Sequence, residues 1–338
     1  MKYKRFGNTG LRVSELCLGT MTFGSDWGWG ADKDTCAEMV RVFLEAGGNF
    51  IDTANYYTNG SSEKILGEIL EKRRQEMVLS TKYSLMTNRL DINSGGNQRK
   101  NMMQSVEQSL KNLKTDYLDI YWVHIIDKYT PMDEVLRGLD DLVRSGKILY
   151  TGISDAPAWT IAKANAIASE RNWTSFHGIQ AKYNLIDRSA ERELISMADQ
   201  EKLSILAWSP LSGGLLSGKY NSSSKADLKG SRLEKSKKVN NKNLKIADTI
   251  IKIAKEMNVT PANVALAWIK RNPTVIPIIG SRKVAQLQDN LQCVDVLFSN
   301  DNLVQLEQAS ALKLGFPHDF IADQGVQDLV YGDFKINN

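Results

Sequence analysis

Three observations predict an α/β chain closed into an eight-stranded (β/α)8, or TIM, barrel. Eight short apolar runs recur along the 338 residues, amphipathic helical patterns separate them, and nearly every run ends in a polar or charged residue. Continuous apolar strands alternating with helices indicate a parallel sheet whose outer face is covered. Eight such units in a chain of this length favour closure over an open, doubly wound sheet. No GxGxxG follows the first run, which weakens the open alternative further.

Taken in order, the opening KYKRFGNTGLRVSEL reads as two short strands about Asn8-Thr9-Gly10, a β-hairpin ahead of the barrel. The eight runs are residues 16–20, 49–54, 77–83, 117–124, 148–155, 175–183, 203–210 and 275–281. Helical periodicity falls on 34–46, 62–74, 104–114, 132–145, 158–171 and 190–202. Ser61 to Glu63 read as a capping signal for the helix after the second run. Residues 211–243, after the seventh run, form a long loop rich in Gly, Ser, Asn and Lys, and loops of that length are usually functional. The tail, 315–338, carries Phe316, Phe320 and Tyr331 and is expected to fold over the barrel mouth. No repeat or linker breaks the pattern, so 1–338 is expected to be a single domain.

Apolar residues make up 42% and charged residues 24%, enough to bury a sizeable core. A net charge of +4, from 43 basic and 39 acidic residues spread along the chain, argues for no nucleic-acid partner. The basic runs 72–74 and 235–238 read as solvated faces. Cys17, Cys36 and Cys293 are odd in number and far apart, which argues for a reducing compartment over a disulfide framework. The first ten residues are polar and no apolar run approaches the ~20 residues of a membrane span. A cytoplasmic protein without a membrane partner is expected. His124, His177 and His318 do not fall at metal-ligand spacing with one another or with the cysteines, so no metal is expected.

In such barrels the site lies where strands end. The ends carry Thr20, Asp52, Lys82, His124, Ser154 with Asp155, Gln180 with Tyr183 and Asn184, Ser209, and Gly280 with Arg282. A lysine and a histidine closing two apolar strands are not needed by a structural barrel. With Asp52 and Tyr57 they would face one cavity and make a phenol into a proton donor. Tyrosine titrates near ~10, and an adjacent ammonium stabilises its anion. Lys82 is expected to lower the pKa of Tyr57, Asp52 to keep Lys82 charged, and a neutral His124 to orient a carbonyl oxygen. Carbonyl reduction delivers a proton to oxygen as hydride reaches carbon. No side chain supplies hydride, so a nicotinamide cofactor is implied.

The motifs LGTMTFG (18–24), DTANYYTNGSSE (52–63), STKY (80–83), DIYWVH (119–124), GISD (152–155), IQAKYN (179–184), WSPLSGGLLSGKY (208–220) and IPIIGSRKVAQLQDN (276–290) follow one another in fixed order. In this the chain resembles the aldo-keto reductases, in particular the branch of channel β-subunits and aryl-alcohol dehydrogenases. The resemblance implies an NADP-dependent oxidoreductase acting on an aldehyde or ketone, or on the matching alcohol. Its catalytic tetrad falls on Asp52, Tyr57, Lys82 and His124, Tyr57 being preferred to Tyr56 because the family's acid lies five residues after the aspartate.

It also implies that Ser154, Asp155 and Gln180 hold the nicotinamide carboxamide, with Tyr183 stacked on the ring and Thr20 and Asp52 bordering the same site. Ser209, Leu211, Ser212 and Lys219 would run along ribose and pyrophosphate, under the 211–243 loop as a cofactor cover. Gly280, Arg282, Gln286, Asp289 and Asn290 would take the adenosine end. A guanidinium suits a ribose 2′-phosphate, so Arg282 favours NADPH over NADH. The family commonly has asparagine where Asp155 stands. A negative charge there would favour the oxidised ring. Trp27, Trp29, Tyr56 and Trp122 are expected to wall the substrate pocket.

Other chemistries fit less well. Gly213 to Lys219 imitates a P-loop, but Tyr220 replaces the hydroxyl residue that would bind magnesium. Asp52 and Asp155 as a glycosidase pair would leave Lys82 without a role. A cofactor-sensing binding protein with vestigial turnover is the alternative, and the intact tetrad speaks against it.

Overall fold

The computed structural model describes residues 1–220, 239–332 and 334. The predicted hairpin forms as β1 (Tyr3–Arg5) and β2 (Arg12–Ser14), paired antiparallel. It sits against the start of the barrel, where the Gly7 N–H donates to Ser204 Oγ at 2.8 Å and Lys4 Nζ to the Val275 carbonyl at 2.8 Å. The barrel strands are β3 (Cys17–Gly19), β4 (Phe50–Asp52), β5 (Val78–Tyr83), β6 (Leu118–Val123), β7 (Ile148–Ser154), β8 (Gly178–Lys182), β9 (Ser204–Trp208) and β10 (Val275–Ile279). All pair in parallel with their sequence neighbours, and β10 returns to β3 to close the ring. Each falls inside a predicted apolar run.

Around them lie α1 (Lys33–Glu45), α2 (Ser61–Leu70), α3 (Arg99–Leu113), α4 (Met132–Arg144), α5 (Ala158–Glu170), α6 (Leu194–Gln200), α7 (Asn241–Glu256), α8 (Pro261–Lys270), α9 (Val284–Leu291) and α10 (Asn300–Ser310). The expected helix over 190–202 is split, its first turn being a separate 3-10 segment, Ser189–Glu191. Two short helices, α11 (His318–Ile321) and α12 (Gln324–Tyr331), finish the described chain.

Two-residue alternation builds two different layers inside the barrel. Near the hairpin, Cys17, Phe50, Val78, Ile120, Trp122, Leu206 and Ile276 point inward and pack with Phe6 and Val13 into an apolar plug. Further along the same strands the inward positions become Asp52, Ser80, Lys82, Ser154 and Gln180, so the opposite end is polar.

Trp122 belongs to the plug, not to the substrate pocket expected of it. Its indole is fully buried and meets Phe6 edge-on at 6.0 Å. A ring of that size fits because its lateral partner on β7 is Gly152, which in turn pairs with Gly178 on β8. A Cβ at Gly152 would collide with the indole, and one at Gly178 with Phe6 and the indole edge.

Three other expectations are corrected. Ser61 to Glu63 do not cap α2. Its N-cap is Gly60, at φ 89°, without a side-chain cap. Ser62 instead donates to the Thr20 carbonyl at 2.9 Å, and the buried Glu63 carboxylate accepts from Thr81 at 2.7 Å and Asn112 at 2.9 Å. The signature residues thus tie α2 to β5 and α3. Arg74 is buried rather than solvated, donating to the Met77 and Tyr117 carbonyls and paired with Asp119 at 2.8 Å; the run 235–238 lies outside the described residues. The tail does not cover the mouth with its aromatics. Phe316, Phe320 and Tyr331 are exposed and none lines the cleft described below. The tail lies instead beside the segment before α6, where Arg192 donates to the Leu314 carbonyl and His318 meets Glu193.

Gly152→Ala tests the plug. Overpacking against the fixed indole is expected to cost about 1–3 kcal/mol, read as a lower denaturant midpoint with unchanged m-value, whereas wild-type stability would show that the ring has room to move.

Candidate active site

Asp52 closes β4, and the chain leaves the barrel through a loop that doubles back. Thr58, Asn59 and Gly60 all have positive φ, 46°, 53° and 89°. Such runs are strained for residues with a Cβ and need outside support. Thr58 supplies some, its hydroxyl donating to the Phe23 carbonyl at 2.6 Å. The doubling back leaves the Tyr57 hydroxyl 3.2 Å from Lys82 Nζ. Tyr56, half-exposed, turns toward Trp27 instead, with ring centroids 5.9 Å apart.

Lys82 is inward on β5 and 1% exposed. An ammonium has three N–H donors and no acceptor. All three are used: on Asp52 Oδ2 at 2.5 Å, on the Thr53 carbonyl at 2.6 Å, and on the Tyr57 oxygen. The phenol oxygen is therefore an acceptor from Lys82, and its own proton is left to point elsewhere. Tyr57 lines the cleft, and no described group accepts that proton. Asp52 Oδ1 in turn accepts from Ser80 Oγ at 2.6 Å and Gln180 Nε2 at 2.8 Å. Ser80 is the lateral partner of Asp52 on the next strand, β5, whereas Gln180 reaches it from β8, remote in sequence.

Burial disfavours the charge on Lys82, but Asp52 and then Tyr57 outweigh it and hold the ammonium above its usual range. Burial also lifts Tyr57 above the ordinary phenol value, more than Lys82 pulls it down. Lys82 does pull the phenol down, as expected, without making the net shift downward. Desolvation of the phenolate outweighs the neighbouring ammonium. His124, one residue past β6, continues the ladder by donating its backbone N–H to the Tyr83 carbonyl at 2.9 Å. Its ring stands edge-on to Tyr57 at 5.8 Å. Burial first, then Lys82, pushes it down to about 3, so the imidazole is neutral.

A cleft of about 640 Å³ opens over these groups and runs across the strand ends to the start of α9. Asp52, Tyr57 and His124 form part of its floor, with Lys82 just beneath. Thr20, Ser154, Asp155, Gln180, Ser209, Leu211, Lys219, Gly280, Arg282, Gln286, Asp289 and Asn290 all line it. Trp27 and Tyr56 line its mouth, together with Leu85, which the sequence reading did not single out. Trp29 does not reach the cleft and packs behind Trp27 at 5.7 Å. Ser212 is buried and is not among the lining residues; it opens the 3-10 segment Ser212–Ser217, within which Gly213 and Gly214 have positive φ. Of the expected covering loop 211–243, residues 221–238 lie outside the described residues.

Tyr183 is also displaced from its expected place. It follows β8 on the outward side, donates its hydroxyl to Glu191 at 2.7 Å and packs on Trp268 at 5.3 Å. At these strand ends it is Trp208, at the end of β9, that lines the cleft, and its indole N–H donates to Asp155 Oδ1 at 2.9 Å. Counting by twos from the inward Leu206 would have found it. Asp155 and Ser209 both take left-handed conformations, φ 50° and 55°, where the chain turns out of the barrel. Burial raises the Asp155 carboxyl above its usual range against the opposing indole and Ser154 hydrogen bonds.

Fold and site define a (β/α)8 barrel with a phenol held by a buried lysine beside a long polar cleft. The sequence matches the model of the aldo/keto reductase family over residues 15–311. It is 35% identical to norsolorinic acid reductase of Aspergillus flavus over 331 residues, covering 95% of this chain and 84% of that one. It is 34% identical to the NADP(+) aryl-alcohol dehydrogenase of Phanerodontia chrysosporium over 350 residues, covering 95% and 89%. An uncharacterized oxidoreductase of Bacillus subtilis is 38% identical over 320 residues, covering 90% and 95%. The chain belongs to the aldo/keto reductase family, and its chemistry is oxidoreduction between carbonyl and alcohol.

The neutral His124 makes a stability prediction. Its folded value of about 3 lies below the unfolded ~6.5. Between those limits the unfolded chain binds the extra proton, so this contribution to stability is intact above ~6.5 and declines as pH falls, by at most about 1.4 kcal/mol per pH unit. Denaturant midpoints followed from neutral to mildly acid pH should fall less steeply in His124→Asn. Equal slopes in the two proteins would mean that His124 does not stay neutral in the fold.

Proposed function

We propose that the protein is an NADP(H)-dependent reductase of aldehydes or ketones, working also on the matching alcohols, with Tyr57 as general acid in reduction and general base in oxidation. The observation that carries this reading is the hydrogen-bond accounting at Lys82: with all three ammonium donors engaged, the Tyr57 proton is free to serve a ligand oxygen. The cleft fits a dinucleotide in its donor set. Asp155, Gln180 and Ser154, with Trp208 as a platform, would hold the nicotinamide end. Ser209, Leu211 and Lys219 would lie along ribose and pyrophosphate, and Gly280, Arg282, Gln286, Asp289 and Asn290 at the adenosine end. Arg282 would favour a 2′-phosphate, hence NADP(H) over NAD(H). When bound, the nicotinamide supplies or accepts hydride.

The chain's own residues then handle the proton and the oxygen. A substrate carbonyl oxygen accepts from the Tyr57 hydroxyl, with the neutral His124 as second donor. As the proton leaves Tyr57, negative charge grows on an oxygen already 3.2 Å from the ammonium, which stabilises it at that moment. Asp52, held by Ser80 and Gln180, keeps Lys82 charged and placed. Closing the cleft with ligand removes water and strengthens each of these interactions. Trp27, Tyr56 and Leu85 offer an apolar, aromatic mouth suited to aryl substrates, in keeping with the relatives named for aryl alcohols. The three cysteines are buried free thiols, which supports the cytoplasm as compartment.

Tyr57→Phe keeps the ring and removes the proton. Its kcat is expected to drop by about 10²–10⁴-fold in a nicotinamide absorbance assay with aryl aldehydes, while the dissociation constant for NADPH stays close to wild type. Retention of a tenth or more of the wild-type rate would remove Tyr57 from the role of acid.

A further inference from the structure

The cleft wall at the ends of β7, β8 and β9 is built almost entirely of acceptors. Gln180 has its amide nitrogen on Asp52 Oδ1 at 2.8 Å. Asp52 also takes Lys82 and the Ser80 hydroxyl and is acceptor-only, so the Gln180 amide cannot be reversed without setting oxygen against carboxylate. Its Oε1 is thereby left to the cleft. The Ser154 hydroxyl lies beside Asp155 and helps hold that carboxyl down. Asp155 takes the Trp208 indole N–H on Oδ1 and has no basic partner among the described residues. The two cations whose fields reach it, Lys82 and Lys182, are already paired with Asp52 and Asp187. What faces the ligand is a carbonyl oxygen, a hydroxyl oxygen and a carboxylate with no counter-ion, with a flat indole beside them.

A wall of that kind matches a flat ring that carries N–H donors and positive charge. We propose that Asp155, together with Gln180, grips the carboxamide through its NH2 group, and that its uncompensated charge makes the site prefer the oxidised, cationic nicotinamide to the neutral reduced one. This rests on the cofactor reading above. Trp208 has a separate part. Its hydrogen bond fixes the indole plane and the Asp155 rotamer together, tying the ends of β7 and β9, so it positions both without carrying charge.

Dissociation constants, measured by calorimetry with the full chain, test this without turnover. The probes are NADP+, NADPH and the 3-acetylpyridine analogue of NADP+, in which a methyl replaces the amide NH2. In wild type the analogue is expected to bind about tenfold more weakly than NADP+, because acceptors are left unpaired. Asp155→Asn, which can still accept from the indole, is expected to move the ratio of the NADP+ and NADPH constants about tenfold toward the reduced form and to narrow the penalty on the analogue. Trp208→Phe should weaken both nucleotides and, by freeing the Asp155 rotamer, move their ratio in the same direction by less than Asp155→Asn does. A ratio unchanged within twofold in Asp155→Asn of wild-type Tm would overturn the proposal, as would a larger change of ratio in Trp208→Phe than in Asp155→Asn, since the indole would then be setting it. Failure of wild type to bind either nucleotide would reject the cofactor reading itself.

Discussion

A charged lysine in the interior of a barrel is the constraint on which the rest of this structure turns. Moving an ammonium and a carboxylate out of water costs several kcal/mol each unless both are paired and fully hydrogen-bonded. Lys82 and Asp52 meet that condition only through groups drawn from elsewhere: the Thr53 carbonyl, the Ser80 hydroxyl, the Gln180 amide and the Tyr57 phenol. Those partners come from β4, β5, β8 and the loop before α2, so the pair can exist only once the sheet has closed. The same requirement explains the strained turn at Thr58 to Gly60, which places the phenol where the third ammonium N–H needs an acceptor. Stability and chemistry are therefore written into one hydrogen-bond set, and no member can be altered without unsatisfying a buried partner.

The polar end depends on the apolar end. Inward positions on each strand are two residues apart, so the plug formed by Phe50, Val78, Ile120 and Trp122 fixes the height at which Asp52, Ser80, Lys82 and His124 emerge. Trp122 is the largest piece of that plug, and Gly152 and Gly178 are the spaces it occupies on the next two strands. Small residues on β7 and β8 look like weak points in a strand. Here they are the complement of an indole.

The cleft has two characters along its length. At its mouth Trp27, Tyr56 and Leu85 are apolar, whereas the wall beneath carries Asp155, Gln180 and Ser154, and the far end carries Lys219 and Arg282. Asp155 and Ser209 sit just past their strands in left-handed conformations that turn the chain outward. Loops of this kind can vary without disturbing the barrel, which separates the lining of the cleft from the buried lysine cluster beneath it.

Tyr57 was told from Tyr56 only by the family resemblance, but the sequence by itself determined the barrel, the strand set, the hairpin and the polar strand ends Asp52, Lys82 and His124. Each of these is a local signal: an apolar run, its period, and the polar residue that ends it. What it could not determine is which way a residue faces once the strand has ended, because the period-two alternation stops there. That is why Tyr183 turns outward past β8 and Trp29 stays out of the cleft, whereas Trp122 and Trp208 lie within β6 and β9, where alternation from Ile120 and Leu206 sets them inward and only their height along the barrel separates plug from cleft. Glu63 and Arg74 fail for a related reason. Their sequence contexts read as a cap and a solvated run, and only contacts with α3 and with the start of β6 make them buried. Tertiary structure alone also decided the balance at Tyr57, since desolvation depends on everything packed around the phenol and the ammonium beside it is one neighbour among many.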